Sequence, residues 1–155
     1  MDLVKKAKAG ALAKKAKIQY NRKDYKGALK SFLKVLEIEL ELNNLMEVAK
    51  CHSLIGNCYK NLEHHKVEER NKDYENAVSH YIKSAEAYSK IDMYEESGDE
   101  YEKAAKCYEE LEDLDKAANC YSVSAEMFYD ANDGFSASYT YGKAAEYYEQ
   151  EGNFK

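Results

Sequence analysis

One distance recurs along this chain and decides most of what it can fold into. Tyr81, Tyr101, Tyr121 and Tyr141 stand twenty residues apart, as do Ala85, Ala105, Ala125 and Ala145, and as do Tyr88, Tyr108, Phe128 and Tyr148. A fixed period in this range marks an array of stacked units, each too small to bury an apolar face alone. Within a unit the marks are spaced four, four and three residues. Ala117, Tyr121, Ala125 and Phe128 therefore share one face of a helix.

The pattern extends toward the N-terminus once a nine-residue insertion, His64 to Lys72, is allowed. His52, Gly56 and Tyr59 then fill the marks, preceded by Ala28, Phe32, Leu36 and Glu39, and before them Leu12, Ala16 and Gln19. Helix starts follow the same spacing. Asp24, Asn44, Asp73, Asp113 and Asp133 each stand eight residues before the mark held by Phe32, His52, Tyr81, Tyr121 and Tyr141, Asp92 stands one residue early, and Asn153 continues the twenty-residue series. Asp and Asn favour the N-cap because the side-chain oxygen accepts from an orphan backbone N–H. Capping and apolar periodicity have different physical origins, and here they agree.

The spacing predicts an all-α chain of about seven antiparallel helices, a right-handed α-solenoid, in a single domain over 1–155. The helices fall near 3–22, 25–42, 45–62, 74–90, 93–111, 114–131 and 135–151. The 64–72 insertion either lengthens helix 3 or forms a charged surface loop. Small residues at the central mark (Ala16, Gly56, Ala85, Ala105, Ala125, Ala145) let backbones approach, and the flanking aromatics fill the grooves.

Composition supports this reading and limits function. The chain of 155 residues has no Pro and seven Gly, which favours helix over hairpins. No apolar run reaches the roughly 20 residues of a membrane span, and the basic N-terminus lacks the apolar centre of a secretory signal. A cytoplasmic location follows as the expectation. Cys51, Cys58, Cys107 and Cys120 form no CxxC pair and read as buried reduced thiols. His64 and His65 are adjacent and point about 100° apart on a helix, a poor chelate. No metal or other cofactor is expected. The chain has no Gly-rich phosphate loop, no HExxH and no Cys–His pair with an orienting group. The carboxylate pairs Glu95-Glu96 and Glu109-Glu110 read as exposed helix faces. The expectation is a binding protein and not an enzyme.

Charge is unevenly spread. Residues 1–60 carry thirteen Lys/Arg against six Asp/Glu, while residues 61–155 carry ten against twenty-three. A stack built in chain order is electrically polarised along its length.

The stretch Ala16–Tyr20–Asp24–Tyr25–Ala28–Phe32 resembles a tetratricopeptide repeat, with a small residue in helix A, Asp-Tyr at the turn, and Ala then an aromatic in helix B. Asp73-Tyr74, Ala77 and Tyr81 repeat its second half. The Pro that commonly closes such a repeat is missing throughout. Helices A and B have also become nearly equivalent, both carrying Tyr-x-x-x-Ala-x-x-aromatic. That convergence, in phrases such as AAKCYEELEDLDKAANCYSVSAEMF, is similar to the soluble NSF attachment proteins (SNAPs). The SNAP resemblance implies membrane trafficking and fusion, with a helical coiled-coil bundle and a AAA ATPase as partners. Those proteins end in a C-terminal bundle with a leucine-containing tail, whereas Gly152-Asn153-Phe154-Lys155 reads as the opening of an eighth helix. Either more chain follows, or this end, with Tyr139, Tyr141, Tyr147 and Tyr148, meets a partner or a second copy.

In tetratricopeptide arrays the A helices line the concave face. Carried onto this chain, that places Ala13, Lys17, Tyr20 and Asn21, then Lys50, Ser53, Asn57 and Lys60, then Asp99, Glu102, Lys106 and Glu109 along a groove that runs from basic to acidic. Tyr139, Gly142, Glu146 and Glu149 follow from helix 7. The groove suits a peptide or helical segment of opposite polarity. Ala13 and Asp99 stand where a carboxylate clamp for chaperone tails needs cations, so no such clamp is expected. The Lys-rich, amphipathic segment 3–23 offers a further surface for anionic membrane or RNA. Base recognition is disfavoured, because the chain has only two Arg, Arg22 and Arg70, and no nucleic-acid motif.

Overall fold

The computed structural model describes residues 2–153. Seven helices follow one another: α1 Asp2–Asn21, α2 Tyr25–Glu41, α3 Leu45–Asn61, α4 Val67–Lys90, α5 Tyr94–Glu110, α6 Leu114–Asp130 and α7 Gly134–Asn153. The described residues contain no strand. Each helix packs chiefly on its neighbours in the chain, so the molecule is an all-α solenoid built joint by joint.

The regular joints share one backbone device. Lys23, Asn43, Asp92, Glu112 and Asn132 adopt left-handed backbone angles, with φ between 53° and 63°. The next residue's N–H reaches back five residues, as Asp24 to the Gln19 carbonyl at 2.9 Å and Asp133 to the Phe128 carbonyl at 2.9 Å. This is the Schellman closure of a helix C-terminus. The residue that closes one helix is also the N-cap of the next. Asp24, Asp113 and Asp133 accept from Gly27, Lys116 and Ser136 N–H at 3.0, 3.2 and 3.0 Å. Asn44 and Met93 occupy the cap position without a side-chain bond.

The insertion departs from the sequence reading. It lengthens α4, not α3, and α4 begins at Val67 with Glu68 and Glu69 in its first turn. Asp73 is an interior helical residue instead of a cap, and its Oδ2 lies 2.9 Å from His64 Nε2. Asn153 is helical and is the last described residue of α7, and Phe154 and Lys155, the start of the expected eighth helix, lie outside the described residues.

Packing follows the marks. A methyl group at Gly56 would come within 2.7 Å of the Tyr81 ring, and one at Gly98 within 2.9 Å of the Phe128 ring, so these positions admit little beyond hydrogen. Buried serines tie α4, α5 and α6 to their predecessors: Ser84 donates to the Ala49 carbonyl at 2.7 Å, Ser97 to Ala85 at 2.8 Å and Ser124 to Gly98 at 2.7 Å. The four thiols are free and buried. Burial pushes Cys51 and Cys58 up to about 12, and Cys107 and Cys120 up to about 11, which keeps them protonated and unreactive at neutral pH. Ala145, expected at a close helix approach, is instead exposed.

Candidate functional site

The face shared by α1, α3 and α5 carries two adjoining cavities. The first, about 270 Å³, is walled by Ala13, Lys17, Phe32, Val35, Glu47, Lys50, Cys51, Ser53, Leu54 and Tyr88. The second, about 300 Å³, is walled by Tyr88, Glu96, Asp99, Glu100, Glu102, Lys103 and Lys106. Tyr88 of α4 belongs to both and forms the partition between them. Ser53 joins them from below, its Oγ donating to Glu100 Oε1 at 2.8 Å.

Seven of the residues expected along the groove line it: Ala13, Lys17, Lys50, Ser53, Asp99, Glu102 and Lys106. The charges at the rim are paired in part, Lys50 with Glu47 at 3.4 Å and Lys106 with Glu102 at 3.4 Å. Pairs this exposed contribute little stability, and they are free to exchange partners. The remaining expected residues lie along the same helices but line neither cavity. Tyr20 is half-buried and packs edge-on against Tyr25 with ring centres 5.4 Å apart; loss of water raises its hydroxyl pKa. Asn57 is spent on the fold, its Oδ1 accepting from the Tyr81 hydroxyl at 2.5 Å. Glu109 accepts from the Tyr121 hydroxyl. Asn21 and Lys60 are exposed near the helix ends.

The sequence reading missed Tyr88, Glu100 and Lys103. Tyr88 is on a B helix and fits the aromatic mark, which reads as core. Glu100 is buried, a fate that its residue type hides. Lys103 bridges Glu100 Oε1 at 2.8 Å and Ser53 Oγ at 3.2 Å, and its ammonium stands 5.8 Å from the centre of the Tyr81 ring.

The two cavities differ in the charges that wall them, Lys17, Lys50 and Glu47 in the first against four carboxylates with Lys103 and Lys106 in the second. The first cavity is mostly apolar, with Lys17 and Lys50 at its mouth. The second is acidic. Loss of water, then the neighbouring Glu102 and Glu95, pushes the Asp99 carboxyl above its ordinary range. A larger cavity of about 620 Å³ lies elsewhere, between the α1–α2 turn and the 62–66 segment. It is an open cleft of mixed charge, with Lys23, Lys26 and Lys30 facing Glu63 and Asp73, and nothing in it converges on a single point. Among the described residues no cluster of three or more His, Cys, Asp or Glu is placed to hold a metal ion, and no helix is long and apolar enough to cross a membrane.

The sequence model of one family, described as soluble NSF attachment protein, SNAP, matches residues 66–155. No curated protein matches the chain. In structure the chain is similar to BtubC (BKLC) from P. vanneervenii, with a TM-score of 0.61 and 13% identity over 93% of this chain and 64% of that one. The chain thus spans less than two thirds of that protein's length. It is also similar to MamA, with a TM-score of 0.42 and 12% identity over 95% of each chain. At such identities the likeness to solved structures concerns the fold alone.

Proposed function

Because the chain belongs to the soluble NSF attachment protein family, we propose that it is a non-enzymatic cytoplasmic adaptor that grips a helical or extended protein segment in the groove of α1, α3 and α5. The observation that carries this reading is the pair of adjoining cavities at Tyr88, which gives one groove an apolar slot and an acidic slot. Such a groove reads an amphipathic segment by its side chains, and the lysines at one end and carboxylates at the other favour one orientation.

A pull-down from native lysate, with a photo-crosslinker at Lys50 or at the outward-facing Glu37, tests it. The expected result is a stoichiometric protein partner, retained at moderate salt, that crosslinks from position 50 and not from 37, and that is weakened by Lys17→Glu. Equal crosslinking from both positions sinks the groove assignment.

The family match over 66–155 favours a more specific version of this reading. In it the protein is a membrane-fusion factor, its segment is a coiled-coil bundle and a AAA ATPase joins the complex. The identity of the captured partner decides between the two. A separate reading draws on α1, where Leu3, Val4 and Ile18 are exposed among lysines. There the helix rests on anionic membrane or RNA. Flotation with acidic liposomes across a salt series tests it, and a flat salt response removes it. Self-association through α7 is read by light scattering after gel filtration.

A further inference from the structure

The acidic end of the groove contains a carboxylate with half of its hydrogen bonding complete. Glu100 is 4% exposed, yet it lines the second cavity. Its Oε1 accepts from Ser53 Oγ and from Lys103 Nζ, both at 2.8 Å. Its Oε2 has no partner among the described residues. Buried polar atoms are almost always bonded, and each exception asks for an explanation. The fold itself does not require a carboxylate here. Forty residues on, the equivalent station of α7 is Thr140, whose hydroxyl closes onto the Ser136 and Ala137 carbonyls at 2.9 and 3.2 Å.

The surroundings specify the charge of the missing donor. Glu96, Asp99 and Glu102 add three more carboxylates to the cavity, against the two cations Lys103 and Lys106. Both cations are engaged, Lys103 with Glu100 and Lys106 with Glu102. Glu96 and Asp99 have no bonded cation among the described residues. A water would complete the bond to Oε2 but would leave the surplus negative charge in place.

We propose that the pocket around Glu100 receives a cationic side chain, arginine or lysine, carried by the segment that occupies the groove. The proposal rests on the groove reading above. Arginine fits better, because its planar fork gives one N–H to Glu100 Oε2 and another to Asp99 or Glu96 at the rim. The segment then places an apolar side chain in the cavity lined by Phe32, Val35 and Leu54 and its basic side chain on the far side of Tyr88.

Amide chemical shifts of the ¹⁵N-labelled protein, titrated with ethylguanidinium chloride against sodium chloride at equal ionic strength, test the pocket directly. Saturable shifts at Ser53, Tyr88, Asp99 and Glu100 are expected, with binding weakened about tenfold by Glu100→Gln. Lys103→Met removes the resident competitor and tightens binding several-fold. Should Glu100→Gln fail to fold, Lys103→Met and the rim change Asp99→Asn, expected to weaken binding, carry the test. Shifts that never saturate, or that sodium chloride reproduces, overturn the proposal and leave water as the occupant.

A second probe, an 18-residue Leu/Ala/Glu amphipathic helix with one central Arg, separates the two readings. Groove binding at Lys17 and Lys50 that ignores an Arg-to-Gln change in the peptide keeps the groove and overturns the cation pocket. Ethylguanidinium binding at Glu100 with no peptide binding keeps the pocket and overturns the groove.

Discussion

Helices α5 and α7 lie two periods apart and carry matching positions, yet only one of their two stripes shares a fate. Ser97, Glu100 and Ala104 of α5 are buried, and so are Ala137, Thr140 and Ala144 of α7. This stripe meets the preceding helix. Gly98 and Ala105 are buried and Tyr101 and Tyr108 half-buried, whereas Ser138, Tyr141, Ala145 and Tyr148 are exposed, the two tyrosines at 45% each. This stripe meets the following helix, and α6 covers it only for α5. A helix in this array therefore has two apolar stripes with separate partners, and the last three marks of the unit on odd helices, Tyr101, Ala105 and Tyr108 on α5, belong to the second.

The sharpest way to break that comparison is a charge on the second stripe. Ala105→Glu places a carboxylate where no water reaches and should lower stability by about 3 kcal/mol or more, while Ala145→Glu should change it by about 0.5 kcal/mol or less; denaturant melts of the pair check this. Acid probes an interior joint without mutation. His52 and His80 face each other across α3 and α4, Nδ1 to Nδ1 at 2.9 Å, with Tyr59 stacked on His80. Burial holds both imidazoles down to about 4, from the ordinary 6.5, with the Lys83 charge acting in the same direction. The unfolded chain takes its protons near 6.5, so stability is full above that pH and drains as pH falls toward 4. Hydrogen exchange should speed up in α3 and α4 before α7 responds, and His80→Gln should flatten the pH dependence.

Smaller effects test the backbone. Gly98→Ala pushes a methyl into the Phe128 ring and should cost about 1–3 kcal/mol. Glu112→Gly relieves a left-handed non-glycine residue at the α5–α6 joint and should stabilise by about 1 kcal/mol. Gly142→Ala, where nothing lies within 4 Å, should stabilise by about 0.5–1 kcal/mol through helix propensity alone. A loss of stability at position 142 would mean that the outer stripe of α7 is covered after all.

The spacing made the stack legible because one rule sets both the marks and the joints. Helix starts at Tyr25, Leu45 and Leu114 fall where Asp24, Asn44 and Asp113 place them. The α4 start was hidden because Asp73 satisfies the cap spacing, while the polar run before it continues the helix and supplies His64 as a different partner. In the groove, Lys17, Lys50 and Ser53 were legible from the register of alternate helices. Tyr88, Glu100 and Lys103 were not, because their role depends on a contact between Ser53 and Glu100, 47 residues apart, which no local period encodes. Asn57 and Glu109, expected along the groove, line neither cavity, and a tyrosine hydroxyl from the next helix bonds each of them.

The joint-by-joint packing has a mechanical consequence. Helices α1, α3 and α5 line one groove, but each rests chiefly on its chain neighbours, so the curvature of the stack is the accumulated angle of its joints. A segment lying in the groove spans alternate helices and braces them like a strut across the coils of a spring. In the proposed complex, occupancy would then set the pitch of the stack, and the separation of the chain's ends would report on what is held in the middle.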